Sequence, residues 1–146
     1  MAAVSKSAFV ESLLRLEKGA EDDIPCGRAA LETAAEEGWL EETGSGEELS
    51  RGETALILHR FMRRVLKLPD LPDTGGAEIL RDLYDCRVCA AAIAQVYLRG
   101  LLEGISVPGI SEKGFLIFDG KRPLSPKDAA SIPEKLAALC LRKEPG

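Results

Sequence analysis

A serine followed three residues later by a glutamate, Ser50-Arg51-Gly52-Glu53, stands directly before an apolar run with a helical period. In such a capping box the hydroxyl takes a free amide of the first turn and the carboxylate reaches back to the serine amide, so the tetrapeptide marks a helix start. The helix is expected over Thr54 to Leu68, with Ile57, Leu58, Phe61, Met62, Val65 and Leu66 forming the broadest apolar stripe of the chain. The same grammar recurs at Val4-Ser5-Lys6-Ser7-Ala8-Phe9 and at Leu124-Ser125-Pro126-Lys127-Asp128: an aliphatic residue, a serine, a cation within two positions, then an apolar helix. Three unequal repeats are therefore expected, over about residues 4–20, 26–68 and 71–142, within a single all-α domain.

What precedes the serines repeats as well. Ala29 to Glu41 and Ala90 to Gly104 each read as an alanine-rich helix that ends in a glycine, two large apolar residues and an acid: Gly38-Trp39-Leu40-Glu41 and Gly100-Leu101-Leu102-Glu103. The order of helix, G-[IL]-[IL]-x-G-like ending, variable turn and I-T-R-A-E-like helix start resembles the S-layer homology (SLH) domain, the module that holds bacterial surface proteins to cell-wall polysaccharide. Leu71-Pro72-Asp73-Thr74 is similar to the F-x-D-V opening of such a repeat. Cys26 and Val88 occupy the places where the family puts a tryptophan, and Pro126 occupies the third cation's place, with Lys127 one position later.

The resemblance implies an SLH-like helical bundle around a pseudo-threefold axis, with a groove that receives an anionic, often pyruvylated, secondary cell-wall polysaccharide. Carried over residue by residue, it makes Arg51 the first ligand candidate, followed by Lys6 and Lys127. Ser50 and Glu53 would build the helix start. Trp39 is open to two readings, a core anchor at a helix end or a platform for a sugar ring. The chemistry is reasonable, since helix N-termini present free amides and a positive dipole end to an anion, and arginine offers a carboxylate a two-pronged donor. The alternative is a helical protein-interaction or assembly module with the same fold and no glycan binding, self-association included.

Composition narrows the classes further. An apolar content of 45% in 146 residues is ample for one core. No stretch approaches the roughly 20 apolar residues of a membrane span. Lys6, Glu11, Arg15, Glu17 and Lys18 interrupt any export signal near the N-terminus, so an extracellular, wall-bound location requires a longer precursor and a cytoplasmic one is the alternative. A net charge of -5 argues against a nucleic-acid partner. No nucleophile–base pair, phosphate loop or metal set is visible, so neither an enzyme nor a cofactor is expected. His59, the single histidine, has no partner at motif spacing.

The rest of the chain reads as connections and further helices. Helix one is expected over Ser7 to Lys18, an acidic turn over Glu21 to Pro25, helix two over Gly27 to Glu37, and a polar loop over Glu41 to Glu48. On helix three His59, Arg60, Arg63, Arg64 and Lys67 form a basic stripe, either a solvated face or a binding surface. Pro69, Pro72, Gly75 and Gly76 break the chain before a fourth helix over Ala77 to Arg99, with a break near Asp85 as the alternative. Cys86 and Cys89 would share its inner face as buried thiols, with a disulfide to Cys26 or Cys140, or metal or redox chemistry, as other readings. Residues 106–119 suggest a small β-hairpin or an extended loop. The last helix begins at Ser125, and Pro133 should kink it or restart it with Ser131 and Glu134 as a second box.

Overall fold

In the computed structural model, which describes residues 5–18, 25–40 and 48–143, the chain is mostly helical, with no sheet among those residues. The helices are α1 (Lys6–Lys18), α2 (Arg28–Glu36), α3 (Arg51–Arg64), α4 (Arg87–Leu98) and α5 (Pro126–Lys143), with 3-10 turns at Gly75–Ile79, Leu83–Asp85 and Ser111–Lys113. The acidic turn at 21–24, the polar loop at 41–47 and the tail at 144–146 lie outside the described residues.

The serines of the three repeated motifs each start a helix, as expected. Ser5 Oγ accepts from the Ala8 amide at 3.2 Å, Ser50 Oγ from Glu53 at 3.1 Å and Ser125 Oγ from Asp128 at 3.1 Å. Glu53 Oε1 accepts in return from the Ser50 amide at 3.3 Å, completing the capping box. Pro126 sits in the first helical position, where a missing amide costs nothing and a fixed φ suits the turn. The chain entries to α1, α3 and α5 lie side by side: antiparallel bridges join Ser5 to Glu48 and Ser50 to Pro123, and Leu124 donates its amide to Leu49 at 2.7 Å.

The two glycine-terminated helices close in the same way. Gly38 (φ 88°) and Gly100 (φ 78°) take the left-handed conformation that a side chain resists. The next amide then reaches back, Trp39 to the Ala34 carbonyl at 3.2 Å and Leu101 to Val96 at 3.0 Å. This turns the paired large residues inward, and Trp39, Leu40, Leu101 and Leu102 are all buried. They join Phe9, Val10, Leu13 and Leu14 of α1, Ile57, Leu58, Phe61 and Met62 of α3, Ile93 and Val96 of α4, and Ile132 and Leu136 of α5 in one core. α3 packs on α4, while α1 packs on α2 and α5.

Several expectations are corrected. The fourth helix does not run unbroken from Ala77: Leu80 is extended and bridges in parallel to Leu116, with Arg81 donating to the Leu116 carbonyl at 2.8 Å, and α4 starts only at Arg87, after a break near Asp85, the alternative reading. Helix three ends at Arg64 rather than Leu68, because Lys67 turns left-handed (φ 57°) and Leu68 donates back to Met62 at 2.8 Å. Residues 106–119 form the extended loop and not the hairpin, their pairing being limited to isolated bridges at Leu116 and Ile117. α5 runs through Pro133 without restarting, and Ser131 donates its hydroxyl to the Asp128 carbonyl instead of capping.

Candidate functional site

The expected cationic ligands, with Ser50 and Glu53, lie where α1, α3 and α5 begin. Lys6, the first residue of α1, pairs with Glu53 of the first turn of α3 at 3.7 Å. Arg51, the first residue of α3, pairs with Asp128 of the first turn of α5 at 3.5 Å. The cation of one helix start thus meets the acid of the next, and these pairs tie the three entries together. Ser50 and Glu53 build the start of α3, as expected. Lys127, in the first turn of α5, is exposed.

Arg51 points inward and is only 5% exposed. Its Nε donates to the Phe118 carbonyl at 2.8 Å, Nη2 donates to the Glu103 carbonyl, and the guanidinium lies 4.7 Å from the centroid of the Phe118 ring. Burial draws its pKa below the ordinary arginine value, opposed first by Asp128 and reinforced by Arg122. A guanidinium remains charged under such a shift, and here that charge is matched by carbonyls and carboxylates of its own chain. The amides of α3 are occupied too. Arg51 donates to the Arg122 carbonyl at 2.9 Å, Gly52 to Gly120 at 2.8 Å, and Glu53 to its capping serine. The loop at 118–123 fills the place where an anion would bind a helix start. Gly52 permits that approach, since a Cβ there would stand 3.1 Å from the Gly120 oxygen.

Trp39 offers no ring face to a sugar. It is fully buried, meets Phe61 edge to face at 4.9 Å between centroids, and donates Nε1 to Glu37 Oε1 at 3.0 Å. Of its two readings, the core anchor is the one the packing realises. Beneath it Glu17, Glu37 and Lys18 form a small charged cluster, with Lys18 3.2 Å from Glu37. Burial, a hydrogen bond with Glu37 and that neighbour's charge raise Glu17 above the usual carboxylate range. Burial also works to raise Glu37, but the hydrogen bonds from Trp39, Glu17 and Lys18 outweigh it and leave Glu37 lowered.

Cations do gather at the other end of α3. Gly38, His59, Arg60, Arg63 and Arg64 line an open cleft of about 630 Å³. Among the described residues Asp70 is a counter-charge to it, 2.8 Å from His59 Nε2 and 3.3 Å from Arg63. The basic stripe read from the sequence, apart from Lys67, thus lines a concave surface, where Arg64 folds over the bare Cα of Gly38.

Two further features escaped the sequence. Asp82 accepts the amides of Phe118 and Asp119, both at 2.7 Å, and so holds the loop that seals α3. Its partners lie 36 and 37 residues away, and no local pattern signals such a contact. Cys86 and Cys89 are joined in a disulfide, correcting the reading of buried thiols on one helix face: Cys86 is the extended residue before α4, and only Cys89 lies within the helix.

Among the described residues no helix is long and apolar enough to cross a membrane, and no group of three or more His, Cys, Asp or Glu is placed to hold a metal ion. Comparison with family models, with curated proteins and with solved structures finds no match to the chain.

Proposed function

We propose that this chain is a non-catalytic binding module, similar in organisation to SLH domains, that anchors a protein to an anionic cell-wall polysaccharide through the cationic cleft at the end of α3. The observation that carries this reading is the gathering of Arg60, Arg63, Arg64 and His59 on one concave surface of a chain whose net charge is -5. A basic cleft on an acidic protein concentrates an anionic polymer locally, and arginine forks suit its carboxylates. The linked, serine-capped starts of α1, α3 and α5 support the likeness to the family, whose repeats gather their helix starts around one axis. They do not supply the ligands in this reading, since Arg51 and the α3 amides are engaged within the chain; of the cations at those starts, Lys127 is the exposed one.

The test is a pull-down of the folded protein with Gram-positive wall sacculi, before and after acid extraction of their secondary polymers. Binding that vanishes with the polymers, and falls in an Arg63→Glu/Arg64→Glu variant of unchanged helicity, supports the anchor. Equal binding by that variant would move the site elsewhere, with Lys127→Glu the next variant. No binding to any wall would remove the polysaccharide.

A second reading, a protein-interaction module, is favoured by a different surface. Tyr84 is 67% exposed, the one large apolar side chain so exposed among the described residues. With Arg87 it flanks a groove of about 630 Å³ floored by Ala90, Ala91 and Ala94. Tyrosine and arginine beside a smooth apolar floor are the residue types that dominate protein interfaces. Sedimentation at rising concentration separates a self-associating module from a monomer.

A further inference from the structure

The Cys86–Cys89 pair borders a cavity of about 390 Å³ that neither proposed surface uses. Its floor is apolar, formed by Leu56, Ile93 and Phe118, and its rim carries Glu53, Asp82, Asp85, Asp119 and Lys121. Cys86 is the N-cap residue of α4, and its side chain makes no capping hydrogen bond. Cys89, in the first turn, packs against the core. The two cysteines are three positions apart, so their bond closes a very short loop and restrains the unfolded chain little. A role in stabilising the fold therefore accounts poorly for a pair that borders a cavity at a helix start.

We propose that Cys86 and Cys89 form a thiol–disulfide exchange site whose co-reactant is a small aliphatic dithiol. The apolar floor beside the sulfurs suits a short hydrocarbon body, and the cavity admits a small molecule more readily than a protein chain. One thiol of the co-reactant, as thiolate, attacks Cys86 Sγ. The Cys86–Cys89 bond breaks, its electron pair leaves on Cys89 Sγ, and Cys89 takes up the proton the first thiol lost. The second thiol, deprotonated in turn, attacks the co-reactant's own sulfur in the mixed disulfide and closes a cyclic disulfide. Cys86 leaves as a thiolate and is then protonated. Two electrons pass from the dithiol, which is oxidised, to the protein disulfide, which is reduced.

Cys86 is assigned as the attacked sulfur because Cys89 is held against the core, and its place at a helix N-terminus helps the second step, in which Cys86 leaves as a thiolate that the dipole stabilises. Several charges face the pair. Glu53, Asp82, Asp85 and Asp119 oppose a thiolate, Arg87 follows Cys86 directly and Lys121 stands on the rim. Lys6 is paired with Glu53 and Arg122 with Asp119, which moderates the carboxylates.

The experiment treats the folded protein with dihydrolipoamide or with dithiothreitol at matched thiolate concentration. Thiols are trapped with iodoacetamide and located by peptide mapping, which separates these cysteines from Cys26 and Cys140, while far-UV dichroism follows the helices. Cys86 and Cys89 should be alkylated together with helicity unchanged, and the rate with dihydrolipoamide should saturate and exceed that with dithiothreitol about fivefold, the gain from burying part of a hydrocarbon chain. In a Cys89→Ser variant, where Cys86 is a free thiol, a monothiol supplied as its symmetrical disulfide should exchange with the Cys86 thiolate, releasing one monothiol and leaving the other on Cys86 as a stable mixed disulfide. Reduction only in step with loss of helicity would overturn the proposal and leave a structural disulfide. Equal, unsaturating rates for the two dithiols would overturn the site as one for an aliphatic ligand. Both results come from the unaltered protein, so the proposal stays testable if the variant does not fold.

Discussion

The guanidinium of Arg51 rests on the ring of Phe118, 4.7 Å from its centroid, and donates to the carbonyl of the same residue at 2.8 Å. One side chain thereby fixes another residue's ring and backbone, and with its bond to Glu103 it joins α3 to two distant stretches of the chain. Removing it leaves two carbonyls without a donor, at roughly 1–3 kcal/mol for each buried unsatisfied group. Arg51→Ala should therefore lose about 3 kcal/mol, or about 10 °C in Tm for a chain of this size. Arg51→Lys, with a single ammonium, should recover less than half of that loss. Thermal unfolding followed by dichroism measures both. An unchanged Tm in Arg51→Ala would show that the arginine is no strut and would reopen it as a ligand.

The Glu17–Glu37 cluster makes stability depend on pH in two opposed ways. Glu17 is raised, so its contribution is present below the unfolded carboxylate pKa and is lost as pH rises through the folded one. Glu37 is lowered, so its contribution is present above the unfolded pKa and is lost as pH falls through the folded one. Glu17→Gln should accordingly be more stable than the parent at neutral pH, by about 0.5 kcal/mol at most given partial exposure, and equal to it in acid. Glu37→Gln should be less stable at neutral pH, with the gap closing in acid. Melting curves across the carboxylate range decide the matter, and an advantage for Glu17→Gln that persisted in acid would contradict the assigned cause.

What the sequence disclosed follows from how far its signals reach. The serine caps, the glycine closures at Gly38 and Gly100 and the apolar face of α3 depend on neighbours within a turn or two, and each is where local rules place it. The start of α4 differs from the expected one because Leu80 and Cys86 are extended by pairing and chain geometry, and the end of α3 because Lys67 turns left-handed, none of which a local propensity signals. The fate of Arg51 was hidden for the same reason. A cation at a helix start looks alike from the sequence whether it faces solvent or a carbonyl at position 118. The basic cleft was half legible: the stripe could be read, but its concavity depends on Gly38, just beyond the end of α2.

Gly38 and Gly100 allow backbone strain to be separated from crowding. Both are left-handed, but a Cβ at Gly38 would lie 3.0 Å from Arg64 Nη1, whereas one at Gly100 would meet nothing within 4 Å. Gly100→Ala should cost about 1 kcal/mol from conformation alone. Gly38→Ala should cost the same plus the displacement of Arg64, and should weaken polymer binding at the cleft. If both variants lost equal stability and bound polymer equally, the contact between Gly38 and Arg64 would have no energetic consequence.

Asp82 controls whether α3 is sealed. Its carboxylate holds the amides of Phe118 and Asp119, and Asp119 sits at a left-handed φ of 57° that the bond helps to maintain. Asp82→Ala strands both donors, and about 2–3 kcal/mol is the expected loss. Amide exchange should report it first at Phe118 and Asp119, ahead of the α3 interior. A second effect follows from what the loop covers. Once the loop is released, the amides of Arg51 and Gly52 lose their carbonyl partners at Arg122 and Gly120, and a helix start with free amides and an adjacent guanidinium attracts anions. Millimolar sulfate should therefore raise the Tm of Asp82→Ala by more than that of the parent protein, while an equal rise in both would mean that the loop stays in place without its carboxylate anchor.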